Sequence, residues 1–375
     1  MDINRKVIEV TVIANREISS AIIEGLESIG IDHFNSAAGR KILLQGRTGI
    51  MKLFGSGKTL VDDPITIISF LVSPDTEGAV VNYIIEEGAL DIPGRGTVFS
   101  KKATLVKAHE ECQENNPKDV QAKKAKIPSG LAGVCCIVHK GEGNSIGKIG
   151  LDTGCGVPAI TFGTGTGLRD KLGLWRITIP AEKELVNLVT TSHDARHLME
   201  IMIDLGALDQ PGRGFIYLYP VKMGMINTKT YVGMSSQAAS VEQIVSIIDE
   251  IRGGSSWRRR EFSSRSGRPK KRKYLTDLLN CILICNEGRA NDLIKVAKSA
   301  GAGGGNLTKL KHRSAKKDES GKISPAREMS EMIISRSQID TIAAALEEHG
   351  AFDDKTYGQL FCSPVSRACT YLGHG

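Results

Sequence analysis

The phrase Gly88-Ala89-Leu90-Asp91-Ile92-Pro93-Gly94-Arg95-Gly96 returns as Gly206-Ala207-Leu208-Asp209-Gln210-Pro211-Gly212-Arg213-Gly214. A third, decayed copy starts Gly350-Ala351-Phe352-Asp353 and runs on through Tyr357-Gly358. Each copy closes a stretch of helical apolar spacing and opens a strand-like run. The repeated object is therefore a supersecondary unit, and three of them constrain the fold more than any other feature of the chain.

In the first unit, residues 7–13 read as a strand, and Ile18, Ile22, Leu26 and Ile29 then recur at helical spacing. A glycine- and basic-rich stretch leads to a strand at 65–72, a helix carrying Val81, Ile84 and Ile85, and a strand at 97–99. The second unit offers strands at 134–138, 159–162, 174–179 and 215–219, with Leu198, Ile201, Met202 and Leu205 marking its closing helix. The third offers strands at 278–284 and 329–334, a second strand begun by the glycine-rich turn at 302–307, and a charged loop at 309–322. A helix with Ile339, Ile342 and Leu346 and a last strand at 359–362 complete it. The expected fold is α+β: three tandem ferredoxin-like β-α-β-β-α-β units at 1–106, 131–235 and 274–375. A polar connector (107–130) and a helix plus basic disordered linker (236–273) join them.

Net charge is +7, yet the tract 252–273 alone holds ten basic residues against Glu261. The positive charge belongs to that tract and not to a whole binding face. Eight cysteines are too few and too irregular for a disulfide scaffold and form no CxxC pair, so they read as reduced, buried, structural thiols. No apolar run is long enough to cross a bilayer, and the first residues lack a signal-peptide core. The expectation is a cytoplasmic protein without a transmembrane segment.

With the glycine turns Pro93-Gly94-Arg95-Gly96 and Pro211-Gly212-Arg213-Gly214 before the last strand, and glycine-rich passages at 159–167 and 301–306, the units resemble the nitrogen-regulatory PII and PII-like signalling proteins. The resemblance implies a single-chain pseudo-trimer, monomeric, with an adenine nucleotide such as ATP or ADP, or another small anion, held in clefts between units. It also implies a regulated protein partner, a transporter or an enzyme. Two departures bear on the ligand: arginine (Arg95, Arg213) stands where the family usually has aspartate, and the third unit has Tyr357-Gly358-Gln359 in place of the double-glycine turn.

The residues expected to bind nucleotide or anion are Gly94, Arg95, Gly96, Gly212, Arg213 and Gly214 in the turns, Gly163, Gly165 and Gly167 as a phosphate nest, and Lys311 in the third unit's loop. Alternate glycines let consecutive N–H groups converge on an anion, and a guanidinium offers a planar fork to phosphate or carboxylate. No nucleophile, carboxylate pair or histidine arrangement asks to be called catalytic, so a non-enzymatic regulatory role is expected. Two other readings stay open: a ligand-free structural or interaction module, and nucleic-acid binding through the basic linker. Against the latter, the sheets lack the aromatic pattern of RNA-binding domains.

Overall fold

Apolar side chains crowd nearly every position of 7–14, and strand β1 (Arg5–Asn15) is accordingly covered on both faces. The computed structural model describes residues 4–46, 58–117, 119–166, 182–232, 272–314 and 323–371. After β1 come α1 (Arg16–Ser28), β2 (Phe34–Gly46), β3 (Lys58–Val72), α2 (Glu77–Gly88), β4 (Gly96–Ala108) and a one-turn 3-10 helix (Glu110–Cys112). Next are β5 (Leu131–His139), α3 (Gly143–Asp152), β6 (Ala159–Gly165), β7 (Glu182–Thr191), α4 (Ser192–Gly206), β8 (Phe215–Pro220) and β9 (Met223–Met225). The remainder is β10 (Leu278–Asn286), α5 (Ala290–Ser299), β11 (Asn306–Arg313), β12 (Ala326–Ser335), α6 (Ile339–Glu348), β13 (Gln359–Val365) and β14 (Arg367–Thr370).

The order β-α-β-β-α-β recurs three times, but the strands do not form three sheets. All belong to one 14-stranded sheet, in which β11-β12-β10-β13-β4-β1-β3-β2-β6 closes back on β11 through Asn306 opposite Gly165 and Leu307 opposite Thr164. Five further strands lie outside the ring: β7, β5, β8 and β14 run on from β6, and β9 pairs β4. Pairing between these strands is antiparallel throughout. This closed nine-stranded antiparallel barrel overturns the expected fold of three ferredoxin-like units, and with it the PII-type pseudo-trimer.

The physical reason lies in the strands themselves. A sheet with helices on one face only leaves its other face wet and its strands alternating apolar with polar. Here β1, β5 and β10 are buried almost end to end. The edges that separate units would expose are joined instead, β4 to β13 and β2 to both β6 and β11. Three clusters pack helices on the outer faces, as where Ile22 and Leu26 of α1 and Val80 and Ile84 of α2 meet Val10 and Val12 of β1. A further cluster, with Val7, Leu71, Leu105, Ile282, Leu310 and Phe361, fills the barrel interior.

Other readings are corrected locally. Strand β2 forms within the glycine- and basic-rich stretch, and β11 takes Lys309, Lys311 and His312 out of the expected loop. Strand β5 lies between β8 and β7, and the range of β7, 182–191, differs from the strand expected at 174–179; that expected strand and nearly all of the helix and basic linker at 236–273 lie outside the described residues. Cys281 and Cys362 stand opposite each other on β10 and β13 and form a disulfide, so that pair is not reduced. In the repeated phrase the left-handed residue after the helix is alanine, Ala89 (φ 44°) and Ala207 (φ 51°), not the glycine before it. Gly206 serves close packing, because a Cβ there would sit 2.6 Å from Ile146 Cδ1.

Candidate anion site at the end of the barrel

The residues expected to hold an anion are mostly engaged by the chain itself. In the first turn the Gly94 N–H donates to Asn227 Oδ1 (2.9 Å), and the Gly94 carbonyl accepts from Asn15 Nδ2 (3.0 Å) and Lys41 Nζ (3.1 Å). Arg95 folds back, its Nε donating to the Gly88 carbonyl at the end of α2 (2.7 Å), and Gly96 begins β4. In the second turn His139 Nε2 meets the Gly212 carbonyl at 2.7 Å, and Arg213 reaches Glu142 at 3.5 Å from an exposed position. Gly214 leaves room for the Ile137 carbonyl, which would lie 2.5 Å from a Cβ.

Gly163 and Gly165 are extended residues of β6, paired with Lys183 of β7 and Asn306 of β11, which is not the alternating conformation of a nest. Gly167 lies outside the described residues. Lys311 is an exposed residue of β11 facing Ser36 in the register. Each turn is held by a different set of partners. Arg272, at the end of the basic tract, is bound to Glu200, Asp204 and Asp209 on and after α4, so its charge is already matched.

Two anion nests do exist, and sequence reasoning missed them because they are filled. Glu184 Oε2 accepts from the N–H groups of Gly141 (3.0 Å) and Gly143 (2.7 Å) at the start of α3. Glu328 Oε2 accepts from Gly288 (3.0 Å) and Ala290 (3.1 Å) at the start of α5. Free N–H groups and the helix dipole favour a negative charge at such places. In both, a strand carboxylate supplies it. The first helix has no counterpart, since β1 runs directly into α1 through Asn15.

Next to Glu328, Arg327 points to the other face of β12, into the barrel end. There a cavity of roughly 20 Å³ is lined by Glu9 of β1, His33 and Asn35 at the start of β2, Ser69 and Leu71 of β3, His312 of β11 and Arg327, with Gln359 and Phe361 of β13. The 3-10 turn and the residues after it cover the cavity. Cys112 O accepts from Gln359 Nε2 (2.6 Å), and Asn115 Nδ2 donates to the carbonyls of His33 (2.8 Å) and Leu71 (2.9 Å). The polar connector is thus a fitted cap in this part.

Arg327 is 3% exposed, and no acid among the described residues pairs with it. Nη1 donates to Asn286 Oδ1 (3.0 Å) and Nη2 to the Tyr357 carbonyl (2.7 Å), while Nε is buried without an acceptor. Burial pulls its pKa down from the ordinary arginine value, with the Cys112 and Cys285 thiols opposing that shift. A guanidinium nevertheless keeps its charge in proteins, so this cation cannot escape the cost of burial by losing its proton. Of the acids beside it, Glu9 lines the same cavity and is ion-paired with Lys101 at 2.9 Å, its Oε2 making no hydrogen bond, and Glu328 fills the α5 nest.

Opposite Arg327, the rings of His33 and His312 are stacked, centroids 5.5 Å apart and planes 16° from parallel. His312 Nε2 is buried without a partner, and Nδ1 lies 3.4 Å from Asn35 Oδ1. Burial first, then the charges of Arg327 and His33, push the His312 pKa down to about 3. The site therefore combines one cation that no acid compensates, its Nε–H without an acceptor, with a neutral imidazole whose Nε2 has no hydrogen-bond partner. Such a set accepts a small anion.

Among the described residues no group of three or more His, Cys, Asp or Glu is placed to hold a metal, and no helix is long and apolar enough to cross a membrane. Compared with known proteins, the chain matches no family model and no curated protein.

Proposed function

We propose that this chain is a receptor for a small anion, a regulatory binding protein whose effector sits against Arg327 at the capped end of the barrel. The observation that carries this reading is a guanidinium 3% exposed with no carboxylate partner among the described residues, a group that keeps its charge in proteins. Removing one partner of a buried charge pair typically costs about 3–5 kcal/mol because a bare charge is left behind. An anion arriving at Arg327 reverses that situation. The room beside it, roughly 20 Å³, suits an inorganic or one-carbon anion better than a nucleotide.

The cap supplies the link to a partner. Residues 109–115 are tied both to β13 and to the segment before β2, so occupancy bears directly on a surface segment that a regulated protein can read. Thermal stability measured across nitrate, formate, phosphate and sulfate at matched ionic strength tests the reading. At 100-fold excess over Kd, a bound anion stabilises by about 2.7 kcal/mol. That gain should appear in the wild type and vanish in Arg327→Gln. Equal responses of the two proteins to every anion would rule the site out.

A further inference from the structure

The charge balance of the pocket distinguishes between anions. Arg327 contributes one positive charge, and the Glu9–Lys101 pair, 2.9 Å apart, contributes none in sum. A singly charged anion at Arg327 therefore leaves the buried site neutral. A doubly charged one leaves an excess negative charge in a medium where unpaired charge is expensive. Among the described groups lining the cavity, His312 offers a second nitrogen, Nε2, that is buried without a hydrogen-bond partner. We infer that the pocket takes a doubly charged oxyanion only together with a proton on His312, whereas a singly charged anion needs Arg327 alone.

This rests on the anion-receptor reading above and adds its ligand discrimination. The groups facing His312 are Glu9 from β1, His33 ahead of β2, Cys112 from the cap and Arg327 from β12. On its own strand Lys311 and Arg313 are exposed, and Arg313 approaches Glu27 of α1 at 4.0 Å. Burial, Arg327 and His33 all oppose charging of the imidazole, whose pKa is pushed down to about 3. A dianion removes the second of these and provides the missing acceptor, so the proton affinity of His312 rises on binding. By linkage the dianion then binds more tightly as pH falls, by up to tenfold per unit, between pH 3 and the raised pKa of the occupied site.

The test is isothermal titration of the full chain with sodium sulfate and sodium nitrate between pH 7.5 and 5.0. Titrations in buffers of different ionisation enthalpy count the protons taken up without relying on any variant. The expected result is a sulfate affinity that rises up to tenfold per unit of acidification with about one proton bound, and a nitrate affinity that stays flat. His312→Gln should remove the sulfate dependence and keep nitrate binding. Sulfate binding that ignores pH, or nitrate binding that steepens as sulfate does, overturns the inference while leaving the receptor reading intact. Failure of both ions to bind at every pH overturns the receptor reading itself.

Discussion

Two dipeptides in matching places of the barrel, Lys183-Glu184 on β7 and Arg327-Glu328 on β12, carry the same charges and reach different ends. Their registers agree: Glu184 stands opposite Val138 and Lys183 opposite His139, as Glu328 stands opposite Cys285 and Arg327 opposite Asn286. Both glutamates turn outward and fill the N–H cluster at the start of a helix. The cations differ. Lys183 is half-buried and places its Nζ 3.0 Å from His139 Nδ1 beside the second glycine turn, whereas Arg327 is enclosed at the barrel end without an acid. The glycine-rich helix starts, where an anion would first be sought, are occupied by the chain's own carboxylates. Capacity for a ligand is left where a cation lacks one.

Four perturbations bear on that contrast. The largest effect belongs to Arg327→Gln, which should abolish anion-dependent stabilisation, a loss of about 100-fold or more in affinity, while Lys183→Gln leaves anion binding within about twofold in the same titration. Next, Glu184→Gln and Glu328→Gln each replace a charge-assisted cap with a neutral one. Each should lower unfolding free energy by about 1–2 kcal/mol in urea without changing the anion response. If Glu328→Gln strengthened or abolished anion binding, the two faces of β12 would not be independent.

The third effect is on pH. With its pKa near 3 in the folded chain and 6.5 as the ordinary value, His312 contributes stability that is complete above pH 6.5 and is lost as pH falls from there toward 3. Urea titrations at pH 7 and 5 should show that loss in the wild type and a smaller one in His312→Gln. The smallest effect concerns the repeated phrase. Ala207→Gly relieves a left-handed alanine and should stabilise by about 0.5–1 kcal/mol, read as a rise in melting temperature.

The three-fold element order was legible in the chain because apolar spacing and the repeated phrase mark it. Barrel closure was less legible. Residues 278–284 are apolar on both sides of the strand apart from Asn280, which a sheet with one wet face does not require. On β1, however, Glu9 and Thr11 share one face and so mimic the alternation of a half-exposed strand. The expected site residues were chosen for glycine conformation, yet Gly163 and Gly165 are extended, and Gly94 and Gly212 already bond to neighbouring side chains. Arg327 was hidden for a different reason. Beside Glu328 in sequence it looks neutralised, but successive side chains of a strand point to opposite faces, so adjacency on β12 separates the two charges. That no acid among the described residues pairs with it depends on what β1, β2 and β11 bring to the same cavity, and no local pattern encodes that.

The most direct test of the account is anomalous diffraction from crystals soaked in sodium bromide, for bromide is a small singly charged anion that scatters strongly at its absorption edge. The account predicts a bromide peak within about 3.5 Å of Arg327 Nε and beneath the 109–115 cap, a hydrogen-bonding distance for a large halide. A crystal showing bromide at other sites and none in this pocket would contradict it.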